Sequence, residues 1–220
     1  MLNLIIAEAA LELIPDQIIR HPSVVNDARR TGNEPSTILL DRSVHHAAMT
    51  KLTDQFKRGR PDLVHLTLLT ATSTPLYQDG QAKVYIHTRN DVVLELREQT
   101  RPPKSYSRFR DLMRKTLQEM PESGLIKVYE LPVSGVLESI GADFVVGLSV
   151  QGGFSGYEEL ATELSSKRNP AALVGGFPRG HFTPETTRAF DRLVRVDRRS
   201  LDAHVVVARL IYEVEKHTRT

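Results

Sequence analysis

From residue 125 onward the chain reads as strand and helix in alternation, and that grammar leaves few folds open. Residues 125–131, 144–148, 171–174 and 193–196 are short apolar runs of strand length. Between them, residues 133–140, 157–166 and 186–190 carry helical spacing, and residues 201–216 predict a closing helix with Ser200 as its N-cap. Elements alternating in this way predict an α/β fold with a mainly parallel sheet. The first half is less regular. Residues 2–7 read as a strand, 21–30 as a helix, 38–40 as a short buried strand ending at Asp41, and 62–72 as a helix. Residues 83–87 and 92–96, separated by Thr88-Arg-Asn-Asp91, predict a β-hairpin, and 105–120 an amphipathic helix with Phe109, Leu112, Met113, Thr116 and Met120 on one face.

Ligands of open parallel sheets sit beyond the carboxyl ends of the strands. Three connections therefore become candidates: residues 149–156, 175–181 and 197–201. The second is the most pointed, because an apolar run stops at Gly175-Gly-Phe-Pro-Arg-Gly180, where bare backbone can approach a ligand. Its glycine spacing is not G-x-G-x-x-G, and His181-Phe182 follow the last glycine in place of the Lys and hydroxyl of a P-loop. Dinucleotides and nucleoside triphosphates are thereby disfavoured, and an adenosyl group remains.

Composition narrows the rest. The chain has 220 residues, long enough for a sizeable core, and no internal repeat or obvious linker, so one domain over 1–220 is expected. No apolar run approaches the length of a membrane span, and the apolar start lacks the basic region of a signal peptide, so a cytoplasmic protein is expected. Zero cysteines exclude disulfides, thiol catalysis and Cys-ligated metals. With no His-x-x-x-His pair either, no metal site is expected. Gly147-Leu-Ser-Val-Gln-Gly152 is one residue too long for a serine-hydrolase elbow.

The net charge is only +2, but its distribution is uneven. Arg58-Gly-Arg-Pro-Asp62 places Pro61 and Asp62 where a helix N-terminus favours them; the plain alternative is a capped helix with surface arginines. Arg101, Lys104 and Arg108 flank a second helix start, a place suited to phosphate. A third cluster comprises Arg192, Arg195, Arg198 and Arg199, and any one cluster alone is ordinarily a solvated face.

Leu40-Asp-Arg-Ser-Val-His-His-Ala-Ala48, Arg58-Gly-Arg-Pro-Asp62, Ala71-Thr-Ser-Thr-Pro-Leu76, Val84-Tyr-Ile-His-Thr88, Arg101-Pro-Pro-Lys-Ser-Tyr-Ser-Arg-Phe109 and Gly175-Gly-Phe-Pro-Arg-Gly180 occur in one order. Together they resemble, over essentially the whole chain, the SPOUT-class methyltransferases that methylate N1 of a pseudouridine in small-subunit ribosomal RNA, in their archaeal form. Two departures stand out: Lys104 where the family usually has Arg, and Arg179 where archaeal members often have His. Lys keeps the charge of Arg but not its bidentate fork.

The resemblance implies a mainly parallel sheet with helices on both faces, a β-hairpin and helix extension, and a C-terminal trefoil knot within a cofactor region of about 143–220. It implies S-adenosyl-L-methionine held by Leu148, Ser149, Gly175, Gly176, Gly180, Val196, Ser200 and Leu201. It places Asp62 and Arg60 at the target base, with Arg60, Arg101, Lys104 and Arg108 on the small-subunit rRNA. It also implies a homodimer, and Val205-Val-Val-Ala-Arg-Leu-Ile-Tyr212, apolar almost all round, needs burial on more than one side, which a knot would also supply. Two other functions stay open on the residues alone: an rRNA-binding ribosome-assembly factor with methylation secondary, and a nucleotide-dependent α/β enzyme acting on a small molecule.

Overall fold

A computed structural model of the chain describes residues 1–218. All eight residues of β1 (Leu2–Ala9) are buried, as befits a strand covered on both faces. Alternate side chains serve two cores: Leu4 and Ile6 pack on one face of the sheet, Ile5 and Ala7 on the other. The chain then runs through α1 (Pro22–Thr31), α2 (Arg42–Met49), α3 (Pro61–Thr72) and the short α4 (Pro75–Gln78). β2 (Ala82–Thr88) and β3 (Val92–Leu96) form the expected hairpin, and α5 (Tyr106–Glu119) leads to β4 (Ile126–Glu130). The alternating half follows as α6 (Val133–Ser139), β5 (Phe144–Phe154), α7 (Tyr157–Ser165), β6 (Pro170–Gly175), α8 (Pro184–Arg188), β7 (Arg192–Arg195) and α9 (Ala203–Thr218).

The strands form one sheet in the order β4-β3-β2-β1-β6-β5-β7. Neighbours from β2 to β7 run parallel, while β3 and β4 extend one edge antiparallel. Helices α3, α5, α7 and α9 fill the larger core on one face, and α6 covers the other. A satellite cluster joins α1 to α2 through Val24, Ala28, Ala48 and Met49. This is the expected mainly parallel α/β class with helices on both faces. Among the described residues, no helix is long and apolar enough to cross a membrane, and no group of three or more His, Asp or Glu residues is arranged to hold a metal ion.

Three local expectations are corrected, and one helix is added. Residues 38–40 form no strand; they dock beside the segment after β1 through a single Leu13–Leu39 bridge and the Leu40 amide on Glu12. The helix that follows, α2, has no counterpart among the sequence expectations. Its N-cap is Asp41, whose side chain accepts the Ser43 amide at 2.9 Å. Residues 149–156 are mostly not a loop, because β5 continues to Phe154 past a register shift between Leu148 and Gly153. Finally, Ser200 caps nothing: α9 starts at Ala203, and the Asp202 carbonyl receives the first amides.

Candidate active site

The middle of β5, at its register shift, and the carboxyl ends of β6 and β7 converge with the N-terminus of α9 around one pocket. Leu148, Ser149, Gly175, Gly180, Val196, Ser200 and Leu201 all line it. Gly176 does not. Its amide donates to the Ala7 carbonyl and its own carbonyl accepts the Ala10 amide, both at 2.8 Å. A Cβ at this position would stand 2.7 Å from the Ala9 Cα, so the residue keeps two backbones in contact. Gly176→Ala is therefore expected to destabilise the fold by about 1–3 kcal/mol in denaturant titration, through forced backbone displacement. Gly153→Ala, which enters open space, is the matched control expected to change little.

Phe177 and Asp197 come from the candidate connections, whereas Asp202, Ala203, Val206 and Leu63 line the pocket from outside them. The Arg199 guanidinium, then its backbone amide, hydrogen-bond Asp197 and hold its carboxyl down at about 2. Arg199 also lines the pocket, as do Arg179 and Arg195, so this rim carries a paired carboxylate among cations.

Leu63 is the link to the second half of the site, because it belongs to the first turn of α3 and the residue before it is Asp62. Gly59, at φ 65° and tight against Met49 and Leu40, lets the chain turn into that helix, and Pro61 opens it. Arg60 grips Asp62 with two parallel bonds, Nε to Oδ1 and Nη2 to Oδ2, each 2.8 Å. That bonding raises the Arg60 pKa further, with a smaller contribution from the Asp202 carboxylate. Both partners remain partly open to solvent, so the pair is fixed in shape yet reachable.

Arg58, in the same motif, is not a surface arginine. It is buried and forks onto Glu12 at 2.8 and 2.6 Å.

A third layer brings the basic segment alongside. Tyr106, in the first turn of α5, donates to Asp41 Oδ2 at 2.5 Å. Burial and then that bond push its phenol well above the ordinary range, so it stays protonated as a donor. His65 of α3 donates from Nε2 to the Pro103 carbonyl at 2.7 Å and stacks on Phe109 at 4.3 Å between centroids. The Pro-Pro approach is thereby pinned to the same helix that carries Asp62. Arg101, Lys104 and Arg108 stand exposed around it, and none pairs with a carboxylate among the described residues.

Fold and site together define an α/β protein with a ligand pocket at its strand ends, bordered by a forked Arg–Asp pair and an unpaired cationic segment. Residues 4–215 match the family described as EMG1/NEP1 methyltransferase. The chain is 40% identical over 220 residues to the ribosomal RNA small subunit methyltransferase Nep1 of Thermococcus kodakarensis, covering 98% of each. It is 39% identical over 217 residues to Nep1 of Pyrobaculum neutrophilum, covering 96% of each. A crystal structure of Archaeoglobus fulgidus Nep1 bound to S-adenosylhomocysteine is similar with a TM-score of 0.88, at 34% identity and 99% coverage of both chains. The chain belongs to the EMG1/NEP1 methyltransferase family.

Proposed function

We propose that this chain methylates small-subunit ribosomal RNA from S-adenosyl-L-methionine, at N1 of a pseudouridine, as a homodimer in the cytoplasm. The observation that carries the reading is Leu63: one helical turn supplies both a wall of the pocket and the Arg60–Asp62 pair. Kinship with rRNA methyltransferases named Nep1, and with a Nep1 structure holding S-adenosylhomocysteine, supports both substrate and cofactor. In this reading residues 1–220 form one domain, with the cofactor region at about 143–220. The sheet order β6-β5-β7, followed by α9 packing against α3 and α7, suits the knotted threading expected there.

S-adenosyl-L-methionine supplies an activated methyl on a sulfonium, so transfer to N1 breaks the carbon–sulfur bond and requires the N1 proton to leave. Leu148, Ser149, Gly175, Gly180, Val196, Ser200 and Leu201 hold the cofactor, and Gly176 shapes that wall from behind. Asp62 receives or orients the N1 proton, while Arg60 offsets charge gathering on the uracil ring or meets a phosphate. Since both Asp62 oxygens already accept from Arg60, the pair works as one rigid unit.

Arg101, Lys104 and Arg108 hold the RNA backbone around the displaced nucleotide. Arg108→Ala is expected to weaken RNA binding and to reduce the slope of log affinity against log salt by about 0.7, one phosphate on a single strand. Fluorescence anisotropy over a salt series measures it, and an unchanged slope removes Arg108 from the contact. The whole reading is tested by mass spectrometry of small-subunit rRNA made with and without this protein. One added methyl on one pseudouridine is the expected result; its absence rejects the activity.

A further inference from the structure

Glu8, near the end of β1, lies at φ 49° and is only 7% exposed. A left-handed conformation in a residue with a long side chain persists only where its surroundings hold it. Both carboxylate oxygens are in use. Oε1 accepts the Thr183 amide at 2.6 Å, and Oε2 accepts Lys57 Nζ at 2.9 Å. Lys57 Nζ also donates to the His181 carbonyl and lies 4.5 Å from the centroid of the Phe177 ring. One ion pair therefore fastens three points of the 177–183 segment, and Phe177 and His181 are pocket walls. The same stretch of chain reaches the acceptor side. Ala10 donates its amide to the Gly176 carbonyl and accepts the Arg60 amide on its own carbonyl, at 2.8 and 3.0 Å.

We propose that Glu8 and Lys57 are positioning residues that latch the 177–183 segment onto the end of β1 and so fix the cofactor pocket in register with the Arg60–Asp62 pair. Their effect on affinity rests on the cofactor reading above, whereas the latch itself does not. Glu8 is the buried member and Lys57 is partly exposed, so the carboxylate is the partner that is costly to leave alone, and it holds the segment in one seated position rather than a range.

The test compares Lys57→Met, Lys57→Arg and Glu8→Gln in the full chain. Hydrogen exchange of the ligand-free protein is read over 177–183, and S-adenosylhomocysteine affinity is read by calorimetry. Lys57→Met is expected to speed exchange in that segment while the β1 and β6 amides stay protected, since local opening is independent of global unfolding. It is expected to weaken S-adenosylhomocysteine binding about tenfold, equivalent to about 1.4 kcal/mol. Lys57→Arg, which keeps the charge, should recover most of that loss. Unchanged exchange in Lys57→Met overturns the latch, as does Lys57→Arg behaving like Lys57→Met. If Lys57→Met does not fold, Glu8→Gln carries the same comparison with the Thr183 acceptor retained. A wild type that binds no S-adenosylhomocysteine would reject the cofactor reading, and exchange would still decide the latch.

Discussion

Asp62→Asn is expected to slow methyl transfer by about 10²–10⁴-fold, the range over which a positioned proton acceptor acts. The substitution replaces one carboxylate oxygen with an amide nitrogen that faces a guanidinium N–H. At least one of the two 2.8 Å bonds to Arg60 is lost, and the rigid pair becomes a loose one. Asp62 itself is absent from the pocket lining, so S-adenosylhomocysteine affinity is expected to stay near that of the wild type. Single-turnover methylation of an rRNA fragment, beside calorimetry, separates the two quantities. Arg60→Lys completes the comparison: it keeps the positive charge but not the fork, so activity restored by Lys would show that charge alone matters. Turnover unchanged in Asp62→Asn ends the proton-handling role.

The second large effect concerns stability. Arg58→Ala leaves Glu12 buried without its partner, and removing one member of such a pair is expected to cost about 3–5 kcal/mol. For a chain of this length that corresponds to a fall in melting temperature of roughly 6–20 °C. Arg58→Leu combined with Glu12→Leu removes both charges together, and it is expected to be more stable than either single change. Thermal melts of the two single variants and the double variant measure this. Additive losses would show that the pair is not an interacting unit.

The outline of the fold was readable because periodicity reports burial. The hairpin and the strands β4, β6 and β7 fell where short apolar runs lay, and β5 began at its run but continued beyond it. What periodicity cannot report is which strands become neighbours. Nothing in residues 170–175 indicates that β6 inserts between β1 and β5. Glycines misled in one place: at 152 and 153 they suggested a loop, although Gly152 is small because a Cβ would meet the Leu193 backbone at 2.5 Å inside a continuing strand. Charge misled in another. The arginines of Arg58-Gly-Arg-Pro-Asp62 look like surface residues, yet Arg58 faces inward onto Glu12.

The residues proposed at the cofactor came from the resemblance rather than from residue type or spacing. Seven of the eight residues expected at the cofactor do share one pocket, and the eighth packs directly behind it. Leu63, Asp202 and His65 were illegible. Each acts through a partner distant in sequence, such as Pro103 for His65, and a single chain read in order has no marker for such encounters.

The central position of β1 has a kinetic corollary. Its first residues meet β2 about eighty residues later in the chain, but on the other side Asn3 aligns with Ala171. β1 leaves the ribosome well before β6 and therefore stays open along one edge until β6 has emerged. Pairings that close such long loops form slowly, so refolding is expected to be governed by the arrival of β6 rather than by helix formation. Until then, a fully buried strand of the native state, with a bare hydrogen-bonding edge, is the part of the nascent chain most exposed to aggregation.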